Sequence, residues 1–258
     1  ENPALPPPEN GIDPFRDAAT LDMELAFSDI AVIERRLQRL EASLKGAKPQ
    51  ERELAMKEAA LLGRIKESLE REVPLREQTF NQEESRTLSG FQFLTAKPML
   101  LLFNIGEQQV TEVEKLEEKM GERYEKGGLA LCGKLEEELS QLSQEEAQEF
   151  RNSLGLKEAA MDRMIRLSYQ ALGLVSFFTV GDDEVRAWTV TRNTVAPRAA
   201  GKVHSDMERG FIRAEVVAYD DLVRCGGLAE ARRQGVLRLE GKTYLVKDGD
   251  VITFLFNA

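Results

Sequence analysis

The chain has 258 residues, 42% hydrophobic and 31% charged, enough to bury a substantial core and to hold two or three folded units. A formal net charge of −10 argues against a protein that coats nucleic acid broadly, because phosphate neutralisation needs clustered Lys and Arg. Cys132 and Cys225 lack C-x-x-C spacing and His204 is the only histidine, which argues against a disulfide framework or zinc cluster, excludes a His-rich metal site and predicts a reducing cytoplasm.

The opening "ENPALPPPENGIDPF" is dense in Pro and Asn, lacks an initiator Met and reads as a linker, the cut edge of a longer polypeptide. From Thr20, Ala26, Ile30, Ile33, Leu37, Leu40 and Leu44 recur at steps of four and three, the seam of an amphipathic helix. Gly46 and Pro49 stop and restart it, and Leu54, Leu61, Leu62, Ile65 and Leu69 carry a second stripe up to Val73-Pro74. Two antiparallel helices follow, since each stripe can bury against the other.

A further helix is expected over "QEESRTLSGFQFL", then a buried strand from Met99 to Phe103 and a helix from about Thr111 to Glu122. "GLALC" reads as the next strand and "KLEEELSQL" as the helix after it. Strand, helix, strand, helix implies a parallel pair with ligands beyond the strands' carboxyl ends, where Asn104 to Glu107 and Cys132 to Lys134 would lie. A helix from roughly Lys157 to Gly173 leads into "LVSFFTV", after which short strands dominate: "EVRAWTV", "GFIRAEVVAY", "KTYLV" and "VITFLF". Short helices are expected at Ala199 to Ser205 and Leu228 to Arg233. The longest apolar runs, such as "PMLLLF" and "LGLVSFF", fall far short of the roughly 20 residues of a membrane span.

Gly128, Gly133 and Lys134 in "GGLALCGKLEEEL" match the G-x-x-x-x-G-K frame of a phosphate loop. Leu135 stands where a Ser or Thr must bind magnesium, and Glu136, Glu137 and Glu138 would repel a triphosphate. The three acids suit a helix's first turn instead, so the frame reads as a decoy.

"KPMLLLFNIGE" resembles the segment of YchF-type Obg-like ATPases in which the guanine-reading N-K-x-D becomes N-x-x-E, here Asn104 and Glu107. "FFTVGDDEVRAWTVTRNTVAPRAAGKVHSDMERGFIRAEVVAYDDL" and "RLEGKTYLVKDGDVITFLFN" resemble that family's terminal TGS domain, and "GIDPFRDAATLDMEL" its entry into a helical arm. The resemblance implies an α/β and α+β multidomain fold. It comprises a linker and G-domain remnant (1–19), an inserted antiparallel coiled-coil arm (20–73), the C-terminal half of a P-loop NTPase G domain (74–176) and a ubiquitin-like β-grasp TGS domain (177–258). It implies a phosphate-loop portion preceding residue 1, ATP (or GTP) with Mg2+ as cofactor of the full-length protein, and base contacts from Asn104, Glu107, Cys132 and Gly133. The chain by itself is expected to bind nucleotide weakly and not to hydrolyse it. Gly106 and "ENPALPPPEN" depart from typical members and leave the choice between ATP and GTP open.

From Phe177 onwards 12 basic and 12 acidic residues balance, and the acidic excess, 33 against 23, lies before it. Arg192, Arg198, Lys202, His204, Arg209 and Arg213 are therefore candidate RNA-, ribosome- or partner-binding residues, against the alternative of scattered solvated charge. A non-enzymatic interaction module using the arm and the terminal domain is the second functional reading. No membrane partner is expected, and the oligomeric state is left open.

Overall fold

The computed structural model describes residues 11–123, 128–181 and 184–257. The Pro-rich stretch 1–10 lies outside the described residues. The chain divides into two compact units, the first ending at Ala160 and the second starting at Met161.

In the first unit a helical hairpin is formed by α1 (Pro14–Ser43) and α2 (Pro49–Glu70). The first helix starts before Thr20 because Asp13 accepts hydrogen bonds from the amides of Phe15 and Arg16, and Pro14 occupies the first helical position, where a missing N–H costs nothing. Ala26, Ile33 and Leu40 pack on Leu61, Leu62, Ile65 and Leu69, with Ala55 and Ala59 half-buried beside them. Leu54, expected in the second stripe, is instead 64% exposed, and half-buried Ala55, one residue round the helix, takes its place. The ion pairs Arg36–Glu58 and Glu34–Lys66 join the two helices along their flanks.

The hairpin's base is closed by a feature the apolar pattern does not reveal. Asp29, 2% exposed, accepts hydrogen bonds from the amides of Leu94 and Thr95 and from the Thr95 hydroxyl, at 2.9, 2.8 and 2.7 Å. These donors belong to an irregular stretch after α3 (Gln82–Ser89). The helix expected through "SGFQFL" stops at Ser89, since Gln92 has a left-handed φ of 53° and Phe91 and Phe93 stack at 5.0 Å between ring centroids.

The rest of the unit is α/β. Strand β1 (Leu101–Asn104) leads through a 3-10 turn (Glu107–Glu112) into α4 (Val113–Arg123), and β2 (Gly128–Leu131) leads into α5 (Gly133–Leu139). The two strands pair in parallel, Leu101 beside Gly128 through Asn104 beside Leu131, as the strand-helix alternation predicts. Next comes α6 (Gln144–Ser153), which the sequence reading passed over; its start is a capping box between Ser143 and Glu146.

The second unit carries α7 (Ala160–Ala171) and then β3 (Leu174–Val180), β4 (Val185–Thr191), α8 (Ala196–Val203), α9 (Ser205–Arg209), β5 (Phe211–Ala218), α10 (Tyr219–Cys225), α11 (Leu228–Arg233), β6 (Arg238–Glu240) and β7 (Asp250–Phe256). Its sheet has the order β4-β3-β7-β5-β6, with β3 and β7 parallel and the other neighbours antiparallel. Ala196, Ala199 and Ala200 of α8 are fully buried against Phe177, Ala214, Val216 and Ile252, the small side chains letting the helix lie close to the sheet. The opposite face packs Val217 and Val251 on Ala231, with Leu222 and Leu228 beside them.

"KTYLV" forms no strand. It contributes one bridge, Leu245 to Val195, because the Tyr244 hydroxyl turns to donate to Asp250 at 2.7 Å and the Tyr244 carbonyl accepts from the Ala196 amide. The sheet's edge on that side is the three-residue β6, too short to stand out as an alternating run.

Candidate functional site

Asn104 is the last residue of β1 and Cys132 follows β2, so the parallel register brings both loops to one end of the sheet. The two loops are joined directly. Asn104 Oδ1 accepts the Gly133 amide hydrogen at 3.0 Å, and the Ile105 amide donates to the Leu131 carbonyl at 2.9 Å. A side chain at position 133 would place a Cβ 3.3 Å from Asn104 Oδ1, so the small residue permits the close approach. Cys132 is buried in the cluster around Phe103 and Val110 and stands at the N-cap of α5, its carbonyl accepting the Glu136 amide hydrogen at 3.0 Å.

Glu107 opens the turn after β1 and is exposed. Its Oε1 lies 2.7 Å from Lys134 Nζ, and Glu138 lies 3.9 Å from the same ammonium. The hydrogen bond that Lys134 donates to Glu107, then the charges of Glu107 and Glu138, raise the Lys134 ammonium above its ordinary range. Asn104, Glu107, Cys132, Gly133 and Lys134 thus lie at one end of the strand pair, as the strand-helix alternation predicts. The Gly-Lys pair of the phosphate-loop frame serves these partners: the Gly133 amide goes to Asn104 and the Lys134 ammonium to Glu107. An acid three residues after a strand, facing a Lys that opens the neighbouring helix, is the signal that would have found this contact.

The six basic residues of the second unit do not form one surface. Arg198 and Lys202, four apart on α8, line a hollow of about 570 Å³ with Thr191, Asn193, Thr194 and Glu208. Arg192 lines a different hollow, beside Tyr169 and Asp248. Arg209 is paired with Asp206, and His204 Nδ1 accepts the Asp206 amide hydrogen at 3.2 Å, which makes His204 the cap of α9. Arg213 sits opposite Leu255 on β5, alternating with Ala214 and Val216, and so belongs to the sheet face away from α8. Among the described residues no group of three or more His, Cys, Asp or Glu is placed to hold a metal ion, and no helix is long and apolar enough to cross a membrane.

Comparison with known proteins adds the following. The family model YchF-GTPase_C, described as a protein of unknown function (DUF933), matches residues 174–257. The ribosome-binding ATPase YchF of Bacillus subtilis (strain 168) is 42% identical over 253 residues, 95% of this chain and 68% of that protein. Obg-like ATPase 1 of Caenorhabditis elegans is 36% identical over 256 residues, 97% of this chain and 64% of that protein. The structure of the Schizosaccharomyces pombe YchF GTPase superposes with a TM-score of 0.86 at 28% identity, covering 99% of this chain and 69% of the other.

Proposed function

The chain belongs to the YchF family, and on that premise we propose that its first unit reads the base of a purine nucleotide, ATP or GTP, within a cytoplasmic, ribosome-associated NTPase. The supporting observation is the Asn104–Gly133 hydrogen bond at 3.0 Å, which fixes two loops at the carboxyl ends of parallel strands beside an exposed Glu107. With Asn104 Oδ1 committed to that brace, its Nδ2 donors suit the purine N7 acceptor. Glu107 accepts from the 6-amino group of adenine, or from N1–H and N2–H of guanine. Lys134 neutralises Glu107 meanwhile and must yield it to the base. Residues 20–73 are read as the coiled-coil arm, 74–176 as the G-domain half and 177–258 as the TGS β-grasp domain. The described residues fit the base end of a nucleotide; none is assigned here to its phosphates or Mg2+, and no ATP hydrolysis is expected from these 258 residues.

Ligand-observed NMR with ATP and GTP tests the reading. A weak saturation-transfer signal on the base protons that disappears in Asn104→Ala and Glu107→Ala supports it. Signals unchanged in both variants, or sustained magnesium-dependent phosphate release by the chain, contradict it.

The second reading, a non-enzymatic ribosome or RNA contact through the second unit, is favoured by the α8 hollow. It narrows the candidate residues to Arg198 and Lys202, which line that hollow together, while Arg192 lines another, Arg209 lines neither and Arg213 lies on the other face. Charge reversal at both should reduce ribosome co-sedimentation and its salt dependence; wild-type sedimentation would exclude the patch.

A further inference from the structure

Lys134 stands in the first turn of α5, where the helix dipole disfavours a cation and favours acids such as Glu136. Local rules are broken most often at functional sites. The Lys134 side chain is 70% exposed, so burial does not hold it in place. What holds it is Glu107, whose Oε1 accepts from Nζ at 2.7 Å, with Glu138 Oε1 3.9 Å away one turn along α5. Among the described residues no hydrogen bond reaches the other Glu107 oxygen, Oε2. Glu107 therefore presents one engaged acceptor and one open acceptor to anything that arrives beside it.

The two purines make different demands on that carboxylate. Adenine donates from its 6-amino group alone, and Oε2 accepts it while Oε1 keeps the ammonium. Guanine donates from N1–H and N2–H side by side and needs both oxygens. Lys134 must then leave Glu107 altogether, and Glu138 is the carboxylate in reach to receive it. The ion pair survives in one complex and is broken in the other. A penalty that falls on one competitor alone is a source of specificity.

Given the purine-base reading of these loops, on which this inference rests, we propose that Lys134 is a specificity-determining residue. By holding one oxygen of Glu107 it penalises guanine relative to adenine. Lys134 acts through Glu107 and is a positioning residue, with Glu138 setting how readily it lets go. The Lys of the phosphate-loop frame thus serves the base and not the phosphates.

The test titrates AMP and GMP into the whole chain by ligand-observed NMR; their equal phosphate charges cancel in the ratio of the two affinities. Lys134→Met keeps the unbranched side chain and removes the ammonium. It should raise the GMP-to-AMP affinity ratio about three- to fivefold, the span that an exposed ion pair allows. Glu138→Gln removes the rival carboxylate, tightens Lys134 on Glu107 and should lower the ratio. Raising the salt from about 0.05 to about 0.5 M screens the pair, so the ratio should rise in wild type and stay constant in Lys134→Met. A merely structural role for Lys134 would move both affinities together and leave the ratio and its salt dependence untouched. An unchanged or lowered ratio in Lys134→Met, with both nucleotides still lost in Glu107→Ala, would overturn this inference and leave the base reading standing. Binding of both nucleotides that survives Glu107→Ala, or no binding by wild type, would overturn the base reading and this inference with it.

Discussion

Replacing Asp29 by Ala removes the acceptor that closes the base of the helical hairpin. The carboxylate receives three hydrogen bonds from Leu94 and Thr95, and Thr95 is fully buried, so water cannot substitute without opening the packing. Leaving a buried donor unsatisfied costs about 1–3 kcal/mol, and bonds to a charged acceptor lie at the upper end. The three share one acceptor and are not additive, so we expect a loss of about 3–5 kcal/mol. For a unit of this size that is a fall in midpoint of roughly 10 °C. Differential scanning calorimetry and hydrogen exchange at the Leu94 and Thr95 amides measure it, and Asp29→Asn, which keeps one acceptor oxygen, should fall between wild type and Asp29→Ala. A midpoint for Asp29→Ala within about 2 °C of wild type would refute the reasoning, as would Asn and Ala variants of equal stability.

Gly210→Ala would set a Cβ 1.9 Å from the Asn257 carbonyl oxygen, forcing the ends of β5 and β7 apart; a loss of about 1–3 kcal/mol in urea unfolding is expected. Tyr244 is held above the ordinary phenol value of 10.0 first by burial and then by its hydrogen bond to Asp250, so absorbance titrations of wild type and Tyr244→Phe should coincide up to that pH. The stability that this hydroxyl adds is present below pH 10 and lost as the pH rises through its folded value. Glu146 behaves with the opposite sign: its hydrogen bonds from Ser143 hold the carboxyl below its ordinary 4.5, so its contribution is present above that pH and lost on acidification through the folded value. Ser143→Ala should therefore lower the thermal midpoint at pH 7 and lower it less at low pH, where only the cap from the Ser143 hydroxyl to the Glu146 amide remains to be lost.

The elements that were legible in the sequence are those in which one periodic signal governs. The steps of three and four from Ala26 to Leu40 are the buried side of α1, and the alternation of the strands expected at Met99 to Phe103 and "GLALC" with helices foretold the parallel pair that brings Asn104 to Gly133. What stayed hidden depends on contacts distant in the chain. Asp29 is indistinguishable by pattern from a solvated acid until the amides of Leu94 and Thr95, some 65 residues away, reach it. "KTYLV" has strand composition, yet the Tyr244 hydroxyl turns to buried Asp250, and tertiary hydrogen bonding overrides propensity. Nearness in sequence leaves open whether the basic residues share a surface or scatter. Strand alternation puts Arg213 on the far face of the sheet, while helical spacing keeps Arg198 and Lys202 side by side.

The central claim, that the loops after β1 and β2 receive a purine base, is tested most directly by titrating ATP into the isotope-labelled chain and following amide resonances. The account predicts that the Gly133 amide, the Asn104 side-chain amide and the Glu107 amide move together, and that Glu107→Ala abolishes the shifts. Perturbations confined to the second unit, or none at any ATP concentration, would contradict it.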